Sequence, residues 1–128
     1  MGATKQRQIE ESEIEAMPAV YIAGPLGTGE DVAANVRTAM DVWHELDGHG
    51  FTAYCPHLSH FLALHLPRAL QVWMRHDFAW LRRCDCLLRL RGESVGADKE
   101  VAYAESIGIP VFESMKALVA HHLVTGRI

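Results

Sequence analysis

Apolar positions along this chain alternate between two spacings. Ala19-Val20-Tyr21-Ile22-Ala23 is a short apolar run ending at Gly24-Pro25, which predicts a buried strand followed by a loop, Leu26 to Gly29. From Glu30 and Asp31 onward, Val32, Val36, Ala39 or Met40, Trp43 and Leu46 recur at helical spacing, and Gly48 and Gly50 end the helix they predict. Phe51 to Tyr54 predicts a second strand, stopped by Pro56, and His57 to Leu66 an irregular connection. Pro67 suits the first turn of a helix running to about Arg83, with Leu70, Trp73, Asp77, Leu81 and Cys84 on one face. Cys86 to Leu90 predicts a third strand, Ala97 to Ile107 a helix, Ile109 to Phe112 a fourth strand and Met115 to Leu123 a closing helix.

Strands alternating with helices imply a parallel sheet with right-handed crossovers, here as one domain over residues 18–128 after an arm at 1–17. The arm is polar and acid-rich, fitting a flexible segment or a short irregular helix, and it lacks the apolar centre of a signal peptide. Two charges break the pattern. Arg89 stands in a strand that should be covered on both faces, and Asp77 interrupts an apolar helical stripe.

Composition narrows the setting. At 128 residues, 49% hydrophobic and 22% charged, the chain can bury one core. A net charge of -4 without a basic run argues against nucleic-acid polymers and anionic membranes as partners. Apolar stretches are broken well short of a membrane span. Cys55, Cys84 and Cys86 lack framework spacing, so reduced thiols and a cytoplasmic location are expected.

Candidate chemistry centres on Ser94-Val95-Gly96-Ala97-Asp98-Lys99-Glu100, where a strand hands over to a helix, the place at which open α/β sheets bind ligands. Two readings of Glu100 are open: a carboxylate kept ionised as a nucleophile by the helix N-terminus, or a residue merely suited to that position and exposed to water. Asp77 is either paired with an arginine or functional, since an unpaired buried acid is costly. Trp73 and Trp80 share its helix face, and an apolar wall there would raise its pKa and suit it to donate a proton. Tyr21 either orients a ligand or is a core tyrosine with a satisfied hydroxyl. His57 and His60 are better placed to touch a ligand than to hold zinc, because the Cys55 to His65 stretch lacks a second paired motif. Gly24 to Gly29 is Gly-rich but lacks P-loop or dinucleotide-fingerprint spacing. Asn35 and Arg37 read as surface or interface residues.

Together these pieces resemble the nucleoside 2-deoxyribosyltransferase superfamily, including its 2'-deoxynucleoside 5'-phosphate N-hydrolase branch and an uncharacterised branch that opens Tyr-Ile-x-Gly-Pro. The resemblance covers about residues 19–113. It rests on Tyr21-Ile22-Ala23-Gly24-Pro25, on Asp77 in a helix ending Trp80-Leu81-Arg82-Arg83-Cys84-Asp85, and on Ser94-Val95-Gly96 followed by Glu100 and Ala104. It implies cleavage of an N-glycosidic bond with Glu100 as nucleophile and Asp77 as the acid handling the leaving base. Ser94 stands where the transferases carry an acid for the sugar 5'-hydroxyl and the hydrolases a serine, which favours a 5'-phosphate at Ser94 and Gly96. Pro25, Leu26 and Gly27 replace the Ser and Arg of the hydrolases' first loop, leaving Arg89 or Arg91 to meet a phosphate. Tyr21, Gly24, Pro25 and His57 complete the expected substrate-binding set. The expected fold is a three-layer α/β/α sandwich, flavodoxin-like or Rossmann-like, with four or five parallel strands. The expected function is hydrolysis or transfer of the glycosyl group of a nucleoside or its 5'-monophosphate, without metal or organic cofactor, by a homodimer or homotetramer. The alternative is a nucleotide-binding or sensing module of the same fold without turnover.

Overall fold

Alternate residues of each central strand face opposite sides of the sheet, and both sides are apolar, so helices must cover both. The computed structural model describes residues 7–125 and shows that arrangement. Four strands, β1 (Ala19–Ala23), β2 (Thr52–Tyr54), β3 (Cys86–Arg89) and β4 (Val111–Phe112), form a parallel sheet in the order β2-β1-β3-β4. The helices are α1 (Glu11–Glu15), α2 (Asp31–Gly48), α3 (Ser59–His65), α4 (Leu70–Leu81), α5 (Val95–Ser106) and α6 (Met115–Thr125). Val20, Ile22, Cys86 and Leu88 pack with Ala39 and Leu46 of α2 and Leu118 of α6. Tyr21, Ala23 and Leu87 pack on the other face with Leu81 of α4 and Ala97 and Ala104 of α5. The three-layer α/β/α expectation holds, with four strands. No described helix is long and apolar enough to cross a membrane.

Several boundaries differ from the sequence reading. The 57–66 connection is ordered, as a 3-10 turn over Pro56–Leu58 followed by α3. Pro67 does not start the next helix. Ala69 is the residue ahead of α4, in extended conformation, so Pro67-Arg68-Ala69 is a linker. The α5 helix starts two residues early because the Ser94 side chain caps it, accepting from the Ala97 amide at 3.0 Å. Of the arm expected at 1–17, residues 1–6 lie outside the described residues, as do 126–128 of the expected domain. Residues 11–15 form a helix that buries none of its side chains.

The chain reverses its direction of sheet growth between β1 and β3, and the loops leaving these strands therefore part around a crevice. These loops touch at their bases. A Cβ on Gly24 would meet Leu90 Cβ at 2.9 Å, and one on Gly92, whose φ is +114°, would meet Pro25 Cγ at 2.8 Å. Arg89, the misfit in the pattern, ends its strand and folds over the second loop: its guanidinium donates to the carbonyls of Leu90 and Gly92 and to Asp98.

The same substitution should therefore act with opposite sign at two glycines. Gly24→Ala overpacks the β1–β3 contact and is expected to lose about 1–3 kcal/mol. Gly48→Ala, with no atom within 4 Å of the added methyl, is expected to gain roughly 0.4–1 kcal/mol. Urea denaturation of both variants checks the pair.

Candidate active site

A cleft of about 420 Å³ opens at the carboxyl ends of β1 and β3. One wall is the first loop, Gly24 to Thr28, and a second is the start of α5, Ser94 to Ala97. The α4 helix contributes Trp73, Met74 and Asp77, the turn after β2 contributes His57, and α3 contributes His60. Asp77 and Glu100 face this one space.

Glu100 lies one and a half turns into α5 and is only 6% exposed, which removes the reading of a water-exposed helix-start residue. The Tyr21 hydroxyl, from the middle of β1, donates to its Oε2. Burial pushes the carboxyl up to about 7, with the Asp77 charge adding to the rise, while the Tyr21 hydrogen bond and the Arg89 charge oppose it. Burial thus works against the ionised form that a helix N-terminus would favour. Asp77 forms no ion pair or hydrogen bond among the described residues, and burial raises it to about 6. The reading in which Asp77 pairs with an arginine therefore does not hold.

Tyr21 is completely buried and is not part of the cleft surface, so it positions Glu100 instead of touching a ligand. Desolvation beside Glu100 and Asp77 moves its hydroxyl pKa far upward, and the proton stays on the tyrosine. His57 is buried, and its Nε2–H donates to the Gly24 carbonyl at 3.1 Å, leaving Nδ1 facing Cys55 Sγ at 3.8 Å. Burial lowers its pKa, so it is a neutral tether between the first loop and the turn after β2. Asn35, read as a surface or interface residue, instead ties the first loop from within, its amide donating to the Leu26 carbonyl at 3.0 Å.

The remaining expected residues divide clearly. Gly24, Pro25, His57, Ser94, Gly96, Asp77 and Glu100 all border the cleft. Arg91 does not: β3 has ended at Arg89, and Arg91 is exposed on the turn beyond it. Arg89 is held by the loop and Asp98. Trp73 walls the cleft beside Asp77, whereas Trp80 stacks on Tyr54, with ring centroids 5.0 Å apart. The sequence reading missed Glu93, which borders the cleft next to Ser94. No sequence signal marked it, because only the fold collects the residues that line the cleft.

A family model described as a domain of unknown function, DUF4406, matches residues 18–113. The chain belongs to the DUF4406 family. That match spans the sheet, the cleft and both acids of this DUF4406 domain. No curated protein matches the chain. Among solved structures, the domain is similar to the 2-deoxyribosyltransferase from the psychrotolerant bacterium Bacillus psychrosaccharolyticus, with a TM-score of 0.51 and 19% identity over 73% of this chain and 69% of that one. At that identity the likeness is one of fold, and it agrees with the fold that the sequence resemblance implies.

The raised carboxyls have a measurable consequence for the DUF4406 domain. Both bind protons more tightly folded than unfolded, so their stabilising effect is complete below the ordinary carboxylate range and is lost as pH rises through about 6 and about 7. Unfolding free energy measured by urea from pH 4 to 8 is expected to fall across that window. Glu100→Gln should flatten the upper part of the fall, and an unchanged slope would contradict the burial argument.

Proposed function

We propose that this protein cleaves the N-glycosidic bond of a nucleoside, passing the glycosyl group to water or to an acceptor base. Support comes chiefly from one observation: two carboxyls with pKa values raised toward neutrality border a single cleft, and the more buried one is oriented by a core tyrosine. Glu100, ionised, attacks C1' or stabilises the positive charge that develops there. Asp77, protonated, gives its proton to the departing base. In a retaining sequence Asp77 would then activate the acceptor that resolves the glycosyl-enzyme.

Burial raises both carboxyls, and a bound substrate can set them apart. Asp77 is the more exposed of the two, so a base stacked over it removes more water from Asp77 than from Glu100. Glu100 meanwhile keeps its Tyr21 donor, which favours the ionised form.

The lining also bears on the sugar's 5' end. Among the described residues, no lysine or arginine borders the cleft, while Glu93 does. Ser94 uses its oxygen to cap α5, so the hydroxyl retains one O–H to donate. A neutral 5'-hydroxyl fits these surroundings better than the phosphate to which Ser94 alone pointed, because Glu93 would repel a dianion.

Free base released from a panel of ribo- and deoxyribonucleosides and their 5'-monophosphates tests the reading. Glu100→Gln is expected to abolish release, and Asp77→Asn to slow it by about 10²–10⁴-fold. That loss should shrink for an N7-methylated purine nucleoside, whose base leaves without needing a proton. If nucleosides raise the melting temperature while no base appears, the domain is a binding or sensing module instead. Among substrates turned over, kcat/KM should favour nucleosides over 5'-monophosphates, and Glu93→Gln should narrow that ratio. A wild-type preference for monophosphates would reverse the assignment of the 5' end.

A further inference from the structure

A second opening, of about 760 Å³, runs between α4 and α5 and does not include Asp77. Its floor is apolar: Met74, and the rings of Phe78 and Tyr103, stacked with centroids 4.8 Å apart and planes within 16°. Its rim is basic, formed by Arg75, Arg82, Arg83 and Lys99. None of these four cations has a carboxylate partner among the described residues, whose ion pairs are Arg7–Glu13 and Arg89–Asp98. An open apolar floor under four uncompensated charges of one sign is suited to an acidic, partly apolar segment.

The segment ahead of β1 has that character. Glu10, Glu11, Glu13 and Glu15 are interspersed with Ile9, Ile14 and Met17, which are 73%, 54% and 37% exposed. Ile14 lies in α1 and Met17 just beyond its end, and both side chains are exposed. The α1 helix within this segment buries nothing against its own chain. One copy thus leaves both a basic apolar groove and an acidic apolar segment uncovered, and each satisfies the other in charge and in hydrophobicity.

We propose that the two meet between copies: Ile9–Met17 of one protomer docks in the α4–α5 groove of its partner, and the partner returns its own segment to close a two-fold dimer. Leu70 and Met74 border both the groove and the cleft, so a docked segment would buttress the wall that carries Asp77.

Charge exchange in the full chain tests this. One variant reverses the segment (Glu10→Lys, Glu11→Lys, Glu13→Lys, Glu15→Lys), and another reverses the groove (Arg75→Glu, Arg82→Glu, Lys99→Glu). In sedimentation velocity over a concentration series, wild type is expected to be a dimer that dissociates on dilution. Each variant alone should dimerise at least about tenfold more weakly, and an equimolar mixture of the two should recover wild-type association, because both segment–groove pairs are again complementary. Circular dichroism and a thermal midpoint confirm folding. Should the groove reversal fail to fold, Arg82→Gln with Lys99→Gln replaces it, with a smaller weakening expected. A monomeric wild type, a groove variant that dimerises as tightly as wild type, or folded variants that do not rescue each other would each overturn the proposal. So would a monomer whose segment is protected from hydrogen exchange only while its own groove is intact, since the segment would then dock within one chain.

Discussion

The hydrogen bond from Tyr21 to Glu100 joins the centre of the sheet to the cleft at its edge. A carboxyl this buried needs a donor to remain in the core at all, and β1 supplies it from a residue that is itself completely buried. That requirement fixes the register of α5 against β1, because moving Glu100 by one helical position would swing it off the tyrosine. With α5 so placed, its first turn borders the cleft at Ser94 to Ala97, opposite the loop that leaves β1. The contacts at Gly24 and Gly92 then hold the two loops together at their bases, so the crevice can open only above them.

Electrostatics in the cleft follow from the same packing. Glu100, Asp77 and Glu93 share a space with no fixed cation on its walls among the described residues. Burial has moved both Asp77 and Glu100 toward protonation, and for Glu100 the Asp77 charge adds to the rise. A glycosyl group that becomes positively charged as its bond breaks would relieve the repulsion at the moment of reaction. Ground-state strain and transition-state stabilisation would then have a single source.

Much of the fold was legible because its signals are local. Ala19–Ala23 is an uninterrupted apolar run between Pro18 and Gly24, and the strand occupies those residues and no others. The α2 helix was readable from its buried stripe of Val36, Ala39 and Leu46. By contrast, α3 presents Phe61, Leu62 and Leu64 to the outside, so its apolar residues mark no buried face and the stretch reads as irregular. Pro67 misled because proline suits both the first turn of a helix and the linker before one. The site was legible in its residue types and in its resemblance, but not in its geometry. Tyr21 and Glu100 are 79 residues apart, and no spacing rule pairs them. The tether from His57 to the Gly24 carbonyl, whose partners are 33 positions apart, is hidden for the same reason. Arg89 looked anomalous only because strand periodicity cannot show that the strand stops there.

That arginine carries one more implication. Its side chain is only 15% exposed and is held by two backbone carbonyls and Asp98, so its charge is built into the β3–α5 turn and is not free to wander. Mobile ions screen charges that water surrounds, and they reach such a cation poorly. The pull of Arg89 on the Glu100 proton, the smallest of the influences on it, is therefore set by the fold and depends little on ionic strength.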